Sequence, residues 1–372
     1  MTATPKVTNI NKRQRDVGFF MRANRNKVMA VDPKTFHVSW NIDAPTFPRI
    51  LGVPADFGGC GSYRIIQPLM SLIRNKHTQG YVSNKKFNSY EIARLKPDTV
   101  IFQRQVTEPS LQYVKQITHI NQCFTVMEYD DLLDAIDDKN VSKNDFSEKE
   151  KNNLYAGLRT VDRLVCSTPF IAQEYGKYST DVKIAPNYLE KSKWMPLIPK
   201  RNISKKPRVG WAGGFSHVGD LEVLIDVIKE LHKEVDFVFM GLCLPEIEPY
   251  IAEYVVPTDY RNYHLKLSTL NLDLAIIPLA YTKFNLGKSN LKVLEMGVLG
   301  YPIIATDIST YHGFPITYIK NNDKDLWIKS IRDHINNLDE TYRKGDELRN
   351  FIHNNYMLED NLNVWLDAWT PS

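Results

Sequence analysis

The feature that most constrains this chain is an alternation. Short, nearly unbroken apolar runs, rich in β-branched and aromatic residues, are each followed by a stretch with helical apolar spacing. Such runs are what strands look like when helices cover both faces of a parallel sheet. Nine are expected as strands: Val17–Met21, Thr99–Phe102, Cys123–Met127, Leu164–Ser167, Val182–Ala185, Arg208–Trp211, Val235–Gly241, Leu272–Ile277 and Pro302–Ala305. The clearest helix between them is Asp220–His232, with Leu221, Leu224, Ile225, Ile228 and Leu231 on one stripe and Asp220 as N-cap. Alternation of this kind predicts α/β architecture with doubly wound sheets.

One such sheet does not use up the chain. Its 372 residues exceed what a single core needs, and 43% hydrophobic residues suffice for two cores and exclude a disordered or fibrous chain. The break falls in Lys191–Pro207, KSKWMPLIPKRNISKKP, where three prolines and six basic residues stand without useful periodicity. The expected division is therefore a first domain over 1–190, a linker over 191–207, a second domain over 208–345 and a helical segment over 346–372. The helical pattern of that last part begins near Lys344 and carries Phe351, Tyr356, Trp365 and Trp369.

Charge is distributed unevenly. The net value is +4, yet residues 1–100 hold sixteen Lys and Arg against six Asp and Glu. That front segment either meets an anionic partner or is an ordinary solvated surface. The four cysteines (Cys60, Cys123, Cys166, Cys243) are widely spaced, which argues against a zinc ribbon or a disulfide framework and for a reducing, cytoplasmic setting. The first residues, MTATPKVTNINKRQR, lack the apolar region of a signal peptide, and nowhere do about 18 apolar residues run together as a membrane span requires.

Two stretches carry chemistry. In VGWAGGFSHVGDL, Val209–Leu221, a strand runs into a turn with Gly213 and Gly214 and then into a helix. Such a turn either lets backbone amides approach a phosphate, with His217 close by, or only satisfies a tight bend. It matches neither G-x-G-x-x-G nor a P-loop. In FNLGKSNLKVLEMGVLGYPIIATD, Phe284–Asp307, Ser289 or Asn290 caps a helix that Gly300 ends. Lys288, Lys292 and Glu295 then fall at i, i+4 and i+7 on one face. Two ammonium groups beside a helix start suit a diphosphate, and a carboxylate one turn deeper suits the paired hydroxyls of a ribose. The plainer alternative is a surface row with a Lys292–Glu295 pair.

These stretches, with IAPNYLEKSKW at Ile184–Trp194 and NLDLAIIPL at Asn271–Leu279, resemble glycosyltransferases of the GT-B fold. The nearest group is the retaining family 4, in a divergent branch of bacterial surface-sugar clusters and bacteriophage genomes. The resemblance implies two Rossmann-like domains facing a cleft, with a C-terminal helix crossing back to the first. It implies a nucleotide-sugar as co-substrate in place of a resident cofactor, and no metal. Glu295 matches the second glutamate of the family's Glu-x7-Glu motif, the one that holds the ribose; Gly287 stands where the first would be. Lys288, the Gly213–Gly214 turn, His217, Ser289 and Lys292 are the implied donor contacts, and Asn187 is the implied structural asparagine at the end of the first domain.

In the first half, DFGGCGSYR, Asp56–Arg64, resembles the family's glycine loop, which implies that Gly59, Gly61 and Arg64 meet the acceptor or the diphosphate; the alternative is an ordinary turn opening the next helix. The following helix, Tyr63–Lys76, carries Ile65, Ile66, Leu69, Leu72 and Ile73, a stripe for its own sheet or for a membrane surface. Asp130 and Asp131, in EYDDLLDAIDD, stand where the family places a His-Asp pair and are candidates for touching the sugar or taking the acceptor proton. They lack the Asp-x-Asp spacing of a manganese site. For the acceptor, the basic front segment favours a polyanion, with hydroxymethylated DNA as the concrete candidate and an envelope saccharide or lipid-linked sugar as the rival. A sugar-nucleotide epimerase and a non-catalytic nucleotide-sugar or DNA-binding module are the competing classes.

Overall fold

The computed structural model describes residues 47–371 apart from 84–85, 121–122, 141–142 and 144–145; the expected strand Val17–Met21 lies outside the described residues. Twelve described strands form two six-stranded sheets. The first holds β1 (Arg49–Val53), β2 (Gln79–Val82), β3 (Thr99–Gln103), β4 (Phe124–Tyr129), β5 (Arg163–Cys166) and β6 (Val182–Ile184), in the order β2-β1-β3-β4-β5-β6. The second holds β7 (Arg208–Gly213), β8 (Asp236–Gly241), β9 (Glu253–Val255), β10 (Leu274–Ile277), β11 (Ile303–Thr306) and β12 (Thr317–Ile319), in the order β12-β11-β10-β7-β8-β9. Every pairing is parallel. Strand order reverses once in each sheet, between β1 and β3 and between β7 and β10. The carboxyl ends of those strands are where a doubly wound sheet leaves a crevice.

Eight expected strands fall within two residues of observed ones, and four observed strands were not expected. Glycines break the apolar runs of β1 and β2, yet both are needed: a Cβ on Gly52 or Gly80 would come within 2.7 Å of Ile65 or Ile73 in the helix above. β9 and β12 are three-residue edge strands, too short to register as runs.

Helices depart from expectation in detail. The Asp220–His232 stripe is buried as predicted, but the helix divides into Val218–Glu222 and Ile225–Leu231, and Asp220 sits inside the first turn with its carboxylate turned inward and capping nothing. The Tyr63–Lys76 element begins earlier, as a Gly59–Gly61 turn and a wide π turn at Ser62–Ile66, and becomes α-helical only over Gln67–Arg74. Ile65, Leu69 and Leu72 are fully buried against the first sheet, so that stripe offers nothing to a membrane. No described helix is long and apolar enough to cross one.

The chain passes between the sheets twice, and the two passages run side by side. Leu189 donates its amide to Tyr356 O at 3.0 Å and accepts from Leu358 N at 2.8 Å. The segment expected as a featureless linker opens with a helical turn, Lys191–Trp194, because Trp194 is drawn into the core beneath the second sheet. The C-terminal pattern splits at Tyr356 into helices Leu338–Asn355 and Leu362–Trp369. The last helix lays Trp365 and Trp369, both fully buried, beside Ile50, Ile65 and Leu69. The final element thus packs on the first sheet. All four cysteines are free thiols.

Candidate active site

The switch points of the two sheets supply the site. At the end of β7, Gly213 is hemmed in: a Cβ there would lie 2.5 Å from Trp211 and 2.8 Å from Lys292 Nζ. Gly241, at φ +97°, lies so close to the Gly213 carbonyl that a Cβ would stand 2.1 Å from it. Gly214 has open space where a Cβ would be, so its backbone stands clear of side chains. The next turn, Phe215–His217, brings His217 Nδ1 to 2.6 Å from Asp220 Oδ2. The other oxygen of Asp220 accepts from Ala280 N, just beyond β10, at 2.8 Å and from Asn285 Nδ2 at 2.6 Å. Asp220 therefore ties the two strands that flank the switch point to the loop that leads to Lys288.

Lys292, in the Leu291–Gly297 helix, donates to Ala212 O at 2.6 Å and lies over the Trp211 ring. Lys288 precedes that helix, so the expected i, i+4, i+7 row is not a single helical face. Asn290 sits at the N-cap without capping through its side chain, and Ser289 instead accepts from Asn187 Nδ2 at 2.9 Å. The basic groups nevertheless gather. Burial, then the Lys292 charge, lowers His217 to about 4 against the pull of Asp220. Burial also lowers Lys292 to about 8, with Lys288 adding to the effect and Glu295 and Asp220 opposing it. Among the described residues, Trp211 Nε1 and Asn290 Oδ1 are buried at this end of the sheet with no hydrogen-bond partner.

Glu295 is 6% exposed and already engaged. Tyr63, from the first sheet's side, donates to Oε1 at 2.8 Å, and Tyr263 donates to Oε2 at 3.3 Å. Burial lifts Glu295 to about 7, although both tyrosines and Lys292 favour its charged form. Eight residues earlier, Gly287 packs against the first sheet's side: a Cβ would come within 3.0 Å of Leu132 and 3.4 Å of Ile171, so a side chain there would have to push these neighbours aside.

Across the cleft, the switch point of the first sheet ends in Arg104, at φ +48°, which follows β3. Arg104 pairs with Asp130 and, at 2.6 Å, with Asp131, and Asp131 in turn accepts from Lys288 at 2.9 Å. Burial pushes Asp131 up, but Lys288 and Arg104 together hold it below the usual carboxylate range. A carboxylate held this way is a poor proton acceptor, which argues against Asp131 as a base; its contacts are with Arg104 and Lys288. The Arg104 guanidinium bridges the two aspartates. Arg104 had no motif to announce it.

The glycine loop wraps one carboxylate: Asp56 Oδ1 accepts from Gly58 N at 2.7 Å and Gly61 N at 3.2 Å. Gly61 has no room for a side chain, since a Cβ would be 1.7 Å from Asp56 O, whereas Gly59 faces Tyr260 at 3.8 Å. Arg64 corrects an expectation outright. It is 1% exposed, bonds Glu128 Oε2 at 2.9 Å, Ala185 O at 2.6 Å and Asn187 Oδ1 at 3.0 Å, and stacks under Trp365. Four of its five N–H donors are used inside the protein, and burial keeps the guanidinium from an acceptor.

No family model matches the chain, and no curated protein matches it in sequence. Solved structures do match its fold. Sucrose-phosphate synthase of Thermosynechococcus elongatus is 12% identical, with 86% of this chain and 98% of that one aligned and a TM-score of 0.63. A glycosyltransferase of Rickettsia africae is 12% identical over 86% and 97% of the two chains, with a TM-score of 0.61. HepE of Anabaena, solved with UDP and glucose, is 12% identical over 86% and 98%, with a TM-score of 0.58. The fold is thus the two-sheet, two-lobed GT-B fold, with the last helix returned to the first lobe.

Proposed function

We propose that the protein is a glycosyltransferase that moves a hexosyl or pentosyl group from a nucleoside-diphosphate sugar to an acceptor hydroxyl. The observation that carries this reading is the gathering of Lys288, Lys292 and His217 about the Gly213 turn, at the switch point of the second sheet and directly across from the switch point of the first. Lys292 and His217, buried and held below their ordinary pKa, are short of anions, and a diphosphate supplies them. The likeness to a fold solved with UDP supports a uridine nucleotide as donor.

Glycosyl transfer builds positive charge at the anomeric carbon and negative charge on the departing diphosphate. In this reading Lys288, Lys292, His217 and the backbone at Gly213 and Gly214 stabilise the leaving diphosphate. Glu295 accepts the ribose hydroxyls in place of the tyrosines, and Ser289 lines the same loop. Closure of the lobes, bridged by Asp131 and Lys288, excludes water. Gly59 and Gly61 shape the acceptor side. Transfer proceeds with retention, as in the family 4 enzymes the sequence resembles, and a donor phosphate oxygen takes the acceptor proton, since Asp130 and Asp131 are tied to Arg104.

For the acceptor, the basic front segment supports DNA carrying a hydroxymethylated base, in a protein working in a bacterial or infected-cell cytoplasm. Part of that charge is spent internally, because Arg49 pairs with Asp98 and Arg74 with Glu190. The test is to incubate the protein with radiolabelled UDP-glucose and GDP-mannose, with hydroxymethylated DNA, unmodified DNA, or a lipid-linked saccharide. Label transferred to modified DNA alone supports the whole reading; label moving to the saccharide overturns the DNA acceptor. A changed sugar-nucleotide released without any acceptor overturns transfer in favour of epimerisation.

A further inference from the structure

The two buried atoms that lack a hydrogen-bond partner at the switch point of the second sheet differ in kind. Asn290 Oδ1 only accepts, whereas Trp211 Nε1 only donates. A buried tryptophan N–H ordinarily finds an acceptor, so an orphan at a ligand site calls for one. A diphosphate offers acceptors and no donors. Of the two atoms it can complete Trp211 alone.

The chain fixes where that N–H stands. Trp211 and Gly213 are two apart on β7 and so lie on one face of the sheet. A Cβ on Gly213 would be 2.5 Å from Cζ2 and 2.6 Å from Cη2 of the indole, so the ring leans along the strand and passes its six-membered edge under the glycine turn. Nε1 is bonded to the ring atom next to Cζ2, which puts it on the side of the ring that the turn covers. Lys292 Nζ comes within 2.8 Å of the same point and lies 5.2 Å from the ring centroid. Phe239 of β8 flanks the indole with centroids 5.8 Å apart, and His217 meets it edge-on at 6.0 Å, so the ring, 1% exposed, has little freedom to turn away. Gly214, with nothing within 4 Å of where its Cβ would be, leaves the approach over the turn open.

We propose that Trp211 binds the sugar donor directly, its indole N–H donating to an oxygen of the diphosphate that Lys292 also faces. This rests on the donor-site reading above and adds a neutral hydrogen-bond donor to it. The lysines attract the diphosphate by charge, whereas the indole, fixed in direction, selects where one oxygen sits. A hydrogen bond to a charged oxygen away from water is of the strong kind.

The test is nuclear magnetic resonance of the indole N–H groups in the full chain, isotope-labelled at its six tryptophans, with UDP-glucose, GDP-mannose and uridine as probes. Replacing Trp211 by benzothienylalanine, which keeps the shape of the ring and puts sulfur where the N–H stands, identifies its signal. Trp365, whose Nε1 is likewise buried without a partner but lies against the first sheet, is the control. The expected result is a downfield shift of the Trp211 indole proton with one sugar nucleotide and none with uridine, while Trp365 stays in place. The sulfur replacement at Trp211 weakens the Kd by about ten- to hundredfold, the worth of a hydrogen bond to a charged group, and the same replacement at Trp365 leaves it unchanged. A sugar nucleotide that binds without moving the Trp211 signal, or that binds the sulfur variant as tightly as the wild type, overturns this inference and leaves the donor site standing. An equal shift with uridine overturns the diphosphate as its partner. No binding of either sugar nucleotide to the wild type overturns the donor site and this inference together.

Discussion

The hydroxyl of Tyr63, on the first sheet's side, donates to Oε1 of Glu295, on the second sheet's side, at 2.8 Å, from 232 positions away in the chain. The pair joins the lobes at the point where the proposed ribose hydroxyls would lie. A ribose that uses Oε1 competes with this contact. Replacing Tyr63 by Phe removes the competitor and is expected to tighten donor binding about two- to tenfold, the worth of one ordinary hydrogen bond. Glu295→Ala is expected to weaken it by about tenfold or more. Calorimetry on both variants decides; weaker binding in Tyr63→Phe would make the hydroxyl part of the donor site.

Glu295 also gives a pH signature. Its carboxyl is raised to about 7 when folded, so the folded chain binds a proton that the unfolded chain, near 4.5, has released. That contribution to stability is fully present below the unfolded pKa and is lost as pH rises through about 7. Glu295→Gln is therefore expected to unfold at a higher temperature than the parent at pH 8 and at nearly the same temperature at pH 4.5. Parallel curves for the two proteins between those pH values would contradict the buried, raised carboxyl.

Asp131 holds Lys288 and is itself held by Arg104. Lys288→Ala is expected to lower kcat/KM for transfer by about a hundredfold, as loss of one charge stabiliser does. Asp131→Asn is expected to cost less than about tenfold, whereas removal of a general base costs about 10²–10⁴. Steady-state rates on the two variants separate the roles.

Arg64 and Glu128 form a buried pair, 1% and 0% exposed at their side chains, and Trp369 Nε1 donates to the other Glu128 oxygen at 3.1 Å. Burial lifts Glu128 to about 7 despite Arg64. Arg64→Ala leaves that carboxylate unpaired and is expected to cost about 3–5 kcal/mol of stability. Denaturant unfolding measures the loss. Donor affinity at a temperature where the variant is folded should change little; a large drop in affinity would return Arg64 to the ligand.

The fold was legible because parallel strands bury both faces and so write themselves as continuous apolar runs: β4, β5 and β8 could hardly be anything else. β1 and β2 escaped notice because close helix packing demands Gly52 and Gly80 inside the strands. At the site, Gly213, His217 and Lys292 announce themselves through local spacing. Arg104 does not, because its partners, Asp130, Asp131 and, through Asp131, Lys288, are brought to it only by the tertiary fold. Arg64 misled for the converse reason. A glycine loop followed by an arginine reads as a ligand grip, and nothing local reveals that Glu128 and Trp365 surround the guanidinium. Asp220 was read as a cap from its position before an apolar stripe; besides His217, its partners are Ala280 and Asn285, some sixty residues on.

The most direct test of the central claim is the thermal unfolding midpoint against a panel of UDP-, GDP- and other nucleoside-diphosphate sugars, for the wild type and for Lys288→Ala/Lys292→Ala. A donor present at a hundred times its Kd stabilises the wild type by about 2.7 kcal/mol, a readily measured shift. The account predicts that shift for one nucleotide class in the wild type and its loss in the double variant. No shift with any nucleotide sugar, or an equal shift in the double variant, would contradict a donor site built on these lysines.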